Sequence, residues 1–238
     1  MPEKKTGTLY MLPVPLAEEA VDTIPARNIE IVHRLRIFIA EKARTCRRYI
    51  KSTNPPYAIS DLDIRELPRK NEQMHLEKLL LPLLEGESVG FMSEAGSPGI
   101  ADPGTRIAAF CHHHNIPVVP HVGPSSILLA LTASGLNGQQ FCFHGYLPPK
   151  RDALKKKLLQ LEQQVQRSGE TQIFIETPYR NLQMIECALE SLHAQTKFCI
   201  AADLTGKGEW VKMAAVSNWK SIQFPNLHKV PVIYLMGR

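Results

Sequence analysis

No two of the five cysteines, Cys46, Cys111, Cys142, Cys187 and Cys199, stand at CxxC spacing, and their number is odd. A disulfide framework and a structural zinc site are therefore not expected, and the thiols fit a reducing cytoplasm. No stretch approaches the roughly 20 apolar residues of a membrane span. The opening MPEKKTGTLYML has no long apolar core behind its lysines, so neither a spanning segment nor a secretory signal is expected. There is no GxGxxG and no GK[ST], which removes the dinucleotide and nucleoside-triphosphate fingerprints. There is no HExxH, and GPSS at 123–126 is not the GxSxG elbow of a serine hydrolase. His112, His113 and His114 do not repair the lack of a metal motif. Neighbouring residues on a helix point about 100° apart and cannot converge on one ion.

What is present describes a folded globular protein, with 44% hydrophobic and 21% charged residues over 238 positions. Short β-prone runs alternate with helical periodicity. TLYMLP (8–13) reads as a first strand, Ile37–Ala40 as a second, residues near Tyr57–Ser60 as another, and SVGFMS (88–93) follows the helix MHLEKLLLPLLEG. TRIAAFCHHH is helical, IPVVPH a strand and ILLALTAS an apolar helix ending at Gly135. This alternation predicts a parallel sheet with crossover helices. The second half repeats the logic: strands FCFHGYL, TQIFIETP, KFCIAADLT and KVPVIYLMG, helices between, and GEWVKM as a hairpin partner. Two α/β domains are expected, residues 1–122 and 123–238, meeting near Gly123.

Ligands of open α/β sheets bind at the carboxyl ends of strands, which is where SEAGSPG, HVGPSS, IETPYR and AADLTG fall. The stretch EAGSPGIADPG (94–104) concentrates Gly and Pro among small residues, a composition suited to a ligand gripped by main-chain groups. Asp102 before Pro103 and Gly104 reads as a helix N-cap. Glu94, just past a strand end, could face a ligand or join a loop salt bridge. Two basic clusters stand out. Arg44, Arg47, Arg48 and Lys51 recur at i, i+3, i+4 and i+7, on one helix face. Lys150, Arg151, Lys155, Lys156 and Lys157 open another helix and read as a solvated face.

The succession SEAGSPGIADPG, HVGPSS, LTASGL, FHGYLPPK, IFIETPYRNL, AADLTGKGEW and VPVIYLMG resembles the tetrapyrrole methylase superfamily. Within it, the ribosomal RNA small subunit methyltransferase I branch carries similar motifs of the form SDAGTPGISDPG, PGPSA, SGL, FLP, E-x-P-x-R and ELTK. The resemblance implies S-adenosylmethionine in a cleft between two α/β domains, a cytoplasmic homodimer without a metal, and methyl transfer to the 2′-hydroxyl of a cytidine in small-subunit ribosomal RNA, free or in the assembled subunit. By motif position it assigns to the cofactor Ser93, Glu94, Ala95, Gly96, Ser97, Ile100, Ala101, Ser125, Ser126, Thr177, Pro178, Ala201, Ala202 and Pro231. Glu94 and Glu176 are the candidates for the base. With an RNA substrate, Arg44, Arg47, Arg48 and Lys51 become a phosphate track, with Arg180 and Lys207 nearer the site.

The departures cluster at the N-terminus. PVPLAEE replaces a TPIGNL-like turn, Glu41-Lys42-Ala43-Arg44 replaces EDTR, SEAG replaces SDAG and ADLTG replaces RELTK. Two alternatives stay open. One is a methyltransferase for a tetrapyrrole-like or other small molecule, and the other a catalytically silent, cofactor-binding paralogue associated with the ribosome.

Overall fold

Strands β1 (Leu9–Met11), β2 (Ile37–Ala40) and β4 (Val89–Met92) are nearly all apolar because they lie inside a sheet covered on both faces. They belong to the computed structural model, which describes residues 6–68 and 73–238. With β3 (Asp63–Glu66) and β5 (Val118–Pro120) they form a five-stranded sheet in the order β3-β2-β4-β1-β5, every neighbouring pair parallel. Helices α1 (Ala26–Arg34), α2 (Ala43–Ser52), α3 (Gln73–Leu84) and α4 (Gly104–His113) make the crossovers.

Successive side chains of these strands point to opposite faces, and the core divides accordingly. Ile39, Phe91 and Leu9 pack with Leu80, Leu83, Ile107 and Cys111 from α3 and α4. Phe38, Ala40 and Met92 pack with Val32, Cys46, Tyr49 and Ile50 from α1 and α2. The strand expected near Tyr57 lies slightly later. Residues Ile59–Asp61 form a 3₁₀ turn and β3 begins at Asp63. Tyr57 instead packs back onto α1: its hydroxyl donates to Val32 O at 2.9 Å and the Arg36 guanidinium lies 4.2 Å from its ring centre.

The polypeptide divides into two compact units, Met1–Ser125 and Ser126–Arg238. The second holds α5 (Ser126–Ser134), β6 (Phe141–Tyr146), α6 (Arg151–Ser168), β7 (Thr171–Ile175), α7 (Asn181–Ser191), β8 (Lys197–Ala202), β9 (Trp210–Ala215) and β10 (Val232–Gly237). Its sheet has the order β6-β7-β10-β8-β9 and is mixed. Only β6 and β7 pair in parallel. β10 inserts antiparallel between β7 and β8, and β9 returns antiparallel along β8. The helical crossovers expected from the sequence are there, and β9 pairs antiparallel with β8 as a hairpin partner would, but β10 also runs the other way. The alternation of apolar runs carries no strand direction. The turn after β8 reverses the chain into β9, and the 3₁₀ segment Val216–Ser221 lies on the return to β10, which runs in the same direction as β9.

A buried polar network anchors that return. Tyr234 Oη donates to Asn181 Oδ1 at 2.8 Å, while Asn181 Nδ2 donates to the carbonyls of Leu227 and Val230 at 2.7 and 2.8 Å. Tyr234 also stacks between Phe174 and Phe198, with ring centres 5.8 and 6.0 Å apart.

In the first unit, Gly90 sits at the centre of β4. A Cβ there would lie 2.8 Å from both Leu12 Cδ1 and Phe38 Cδ1. Gly90→Ala is expected to overpack this seam and lower stability by about 1–3 kcal/mol. The measurement is the denaturant midpoint of the first unit, and an unchanged midpoint would contradict the packing account.

Candidate functional site

In the first sheet β1 and β4 are neighbours whose connections leave in opposite directions. The chain from β1 passes through α1 to β2, on β4's far side, and the chain from β4 passes through α4 to β5, on β1's far side. Such a switch point leaves a crevice at the carboxyl ends of the two strands. The loops entering it are Leu12–Leu16 after β1 and Ser93–Pro103 after β4. They are joined by a two-way bridge in which Val14 N–H donates to Gly96 O at 3.1 Å and Gly96 N–H to Val14 O at 3.0 Å.

The loop after β4 is held open by its own backbone. Ser93 is buried and its hydroxyl donates to Ala95 O. Gly96 and Gly99 have φ of +73° and +87°, a region that favours glycine. Ala101 also has a positive φ, 60°, a strained choice for a residue with a Cβ. Asp102 enforces this shape. Its carboxylate accepts N–H bonds from Gly99 at 2.8 Å and from Gly104 at 2.6 Å, so it caps the start of α4 and the loop together. The helix starts at Gly104, with Pro103 in the capping position. Ser97 Oγ donates to Pro124 O at 3.1 Å, tying this loop to the HVGPSS turn that carries Ser125. As a result Ala95, Ile100 and Ala101 stand exposed, small or apolar groups beside open backbone.

Three carboxylates meet at this end of the sheet, in different states. Glu94 is exposed and paired with Lys42, Nζ to Oε1 at 2.6 Å. Glu41, immediately after β2, is half-buried and accepts the Glu94 N–H at 3.2 Å. Burial pushes the Glu41 carboxyl above the usual range. The charges of Glu94 and Asp102 push the same way, while the Glu94 N–H and Lys42 pull against them. Burial likewise raises Asp102, opposed by its backbone bonds. Glu41 is the group that reading the sequence missed. The changed EDTR segment pointed to this stretch, but no pattern indicated that Glu41 would be desolvated beside a second carboxylate.

Helix α2 begins where Glu66 Oε2, reaching from the end of β3, accepts Ala43 N–H at 2.9 Å. It buries Ala43, Cys46, Tyr49 and Ile50 and leaves Arg44, Arg47, Arg48 and Lys51 on the outer face. Arg48 is paired with Glu18 at 2.7 Å.

In the second unit β7 and β8 run in the same direction with β10 antiparallel between them, so the ends of β7 and β8 and the start of β10 lie on one sheet edge. The segments assigned from motifs there converge on that edge: Thr177 and Pro178 after β7, Ala201 and Ala202 closing β8, and Pro231 before β10. Pro178 O accepts Lys229 N–H, and Pro231 O accepts Asp203 N–H, both at 3.0 Å. Glu176 is buried, and its Oε1 accepts Thr177 N–H at 2.5 Å and Arg180 Nη2 and Nε at 2.5 and 3.0 Å. That set compensates a desolvated carboxylate, and it commits Arg180 to Glu176. Lys207 is exposed in a tight turn whose Gly206 and Gly208 leave no room for a Cβ beside the Asp203 carboxylate. Among the described residues no group of three or more His, Cys, Asp or Glu could hold a metal ion. No described helix is long and apolar enough to cross a membrane.

Two solved structures share this architecture. The methyltransferase CobJ superposes with a TM-score of 0.63 at 15% identity, over 98% of this chain and 95% of its own. The uroporphyrin-III-C-methyltransferase from Thermus thermophilus gives 0.53 at 16%, over 97% and 92%. At these identities the likeness concerns the fold. In sequence, the chain is 31% identical over 218 residues to the ribosomal RNA small subunit methyltransferase I of Escherichia coli O157:H7, covering 90% of this chain and 71% of the relative. It is 30% identical over 217 residues to the protein of that name from Vibrio cholerae serotype O1, covering 89% and 70%. The family model for tetrapyrrole (corrin/porphyrin) methylases matches residues 19–217. The parallel sheet, its switch-point loops and these matches agree: the chain belongs to the tetrapyrrole (corrin/porphyrin) methylase family.

Proposed function

We propose that this methyltransferase acts on RNA of the small ribosomal subunit, moving the methyl group of S-adenosylmethionine to the 2′-hydroxyl of a cytidine. The observation that carries the reading is 30–31% identity, over 89–90% of the chain, to relatives named for small-subunit ribosomal RNA. The same resemblance supports a cytoplasmic homodimer. S-adenosylmethionine supplies an electrophilic methyl on a sulfonium, so the chain's own part is to hold, orient and exclude water.

The loop after β4 fits that group. Two positive-φ glycines, a strained Ala101 and exposed Ala95 and Ile100 make a small-residue surface of main-chain donors and acceptors. On the first unit the residues holding the cofactor are Ser93 to Ser97, Ile100, Ala101 and Ser125. On the second they are Ser126, Thr177, Pro178, Ala201, Ala202 and Pro231. Removal of the hydroxyl proton falls to Glu41. Glu94 is engaged by Lys42 and Glu176 by Arg180, whereas burial raises the Glu41 carboxyl beside the loop. Two neighbouring carboxyls in unlike environments are the arrangement that separates a proton acceptor from a spectator. The exposed face of α2, chiefly Arg44, Arg47 and Lys51, follows the phosphate backbone.

Transfer of labelled methyl onto small subunits lacking their native methylations, followed by nuclease digestion, tests the reading. Label in 2′-O-methylcytidine is the expected result. Label only in a tetrapyrrole-like or other small acceptor, or cofactor binding without transfer, would replace it.

Three variants probe the parts. Gly96→Val would place a Cβ 3.0 Å from Leu16 Cδ2 and 3.3 Å from Pro124 O at a φ of +73°. It should abolish S-adenosylmethionine binding by calorimetry, and intact binding would exclude this loop. Glu41→Gln should slow transfer by about 10²–10⁴-fold with cofactor affinity unchanged. Because the base must be ionised and its carboxyl is raised, the wild-type rate should decline with acid at a higher pH than for an ordinary glutamate. A fully active Glu41→Gln enzyme would remove Glu41 from the chemistry. Arg44→Glu with Arg47→Glu should weaken RNA binding and lower the slope of log affinity against log salt by about 1 to 2. An unaltered slope would separate this face from the RNA.

A further inference from the structure

Beside the switch-point loops, and wholly within the first unit, lies a pocket of about 240 Å³. Val14 and Glu18 line it from the segment after β1, Glu94 from the loop after β4, and Thr45, Arg48 and Tyr49 from α2. Val14 is also the residue bridged to Gly96, so the pocket and the loop assigned to the cofactor share one rigid strut.

Two features of the lining are unusual for a surface hollow. Tyr49 is only 6% exposed, and its hydroxyl, sealed from bulk water, has no hydrogen-bond partner in the protein. Buried hydroxyls are ordinarily paired, so this one is a donor without an acceptor. Burial pushes the phenol up to about 12, so it carries its proton at any physiological pH. At the outer side Arg48 Nη1 and Glu18 Oε2 stand 2.7 Å apart, both half-exposed. An exposed ion pair of this kind is worth little and opens readily. When open it offers a donor fork and an acceptor side by side, against the apolar wall of Val14.

We propose that this pocket receives the base of the acceptor nucleotide, a cytosine turned out of its RNA strand. The assignment rests on the RNA reading above. An enzyme acting on one nucleotide commonly reads the extruded base by its Watson–Crick edge and an apolar wall. Cytosine presents one donor, its exocyclic amine, beside two acceptors, N3 and O2. Glu18 accepts from the amine, Arg48 donates to the ring acceptors, and the Tyr49 hydroxyl joins Arg48 once the seated base has uncovered it. Uracil carries a carbonyl where cytosine has the amine and would set that oxygen against the Glu18 carboxylate. The ribose of the seated nucleoside then lies by Glu94, whose N–H is bonded to Glu41, the group assigned to the hydroxyl proton.

The test fills the pocket from α2 and leaves the sequence of the cofactor loop unchanged. In Thr45→Trp, methyl transfer to undermethylated small subunits should fall at least tenfold while S-adenosylmethionine affinity by calorimetry stays within twofold. In parallel, saturation-transfer NMR should show free cytidine contacting the wild-type protein, uridine at least tenfold less, and cytidine lost in Thr45→Trp. Tyr49→Phe, which removes only the orphan hydroxyl, should weaken the cytidine signal and serves if the tryptophan variant does not fold. Undiminished transfer by Thr45→Trp, or no cytidine contact with the wild type, overturns the pocket while leaving the methyltransferase reading intact. If the wild type transfers no methyl to the subunits, the RNA reading fails by itself. The cytidine contact and its loss on filling then decide the pocket alone.

Discussion

Two backbone hydrogen bonds between Val14 and Gly96 hold the functional end of the first unit together. They join loops that leave adjacent strands in opposite directions, so without them the switch-point crevice would have two independent lips. The positive φ at Gly96 brings its backbone into that bridge, and the lack of a Cβ keeps Leu16 and Pro124 close. The neighbouring turn depends on a similar absence. A Cβ on Gly123 would lie 2.2 Å from Pro13 Cβ, so the loop after β1 and the turn after β5 also meet through a missing side chain. Three loops are thereby fixed by close backbone approach, which leaves the Ile100 side chain exposed.

The electrostatics follow from how each carboxylate is accommodated. Asp102 and Glu176 are structural. The first accepts the N–H groups that shape its loop, and the second accepts from Arg180 and its own turn. Glu94 is neutralised at the surface by Lys42. Glu41 is left with burial and like charges, offset by one N–H and by the Lys42 charge. The basic residues sort in the same manner: Arg180 and Arg48 have acidic partners, while the outer face of α2 carries Arg44, Arg47 and Lys51.

Much of the architecture could be read from sequence. Ile37–Ala40 and SVGFMS are buried parallel strands because continuous apolar runs bounded by turn residues fit only a sheet covered on both sides. The Gly and Pro loops fell at strand ends because such residues permit positive φ and close approach. The position of β3 was less legible, since Tyr57–Ser60 and Asp63–Glu66 carry equally weak β patterns and the packing of Tyr57 on α1 settled which of them pairs. Glu41 was illegible as a functional group, because nothing local to it distinguishes a desolvated glutamate from a surface one.

The sequence by itself determined the family, through the order of its motifs, and the alternation of strands and helices, because strand and helix periods are local. Tertiary structure alone decided that β10 inserts antiparallel between β7 and β8, and that Glu41 lies half-buried beside Glu94. Those outcomes depend on which groups from distant segments share a desolvated space, and sequence spacing does not encode distance through the fold.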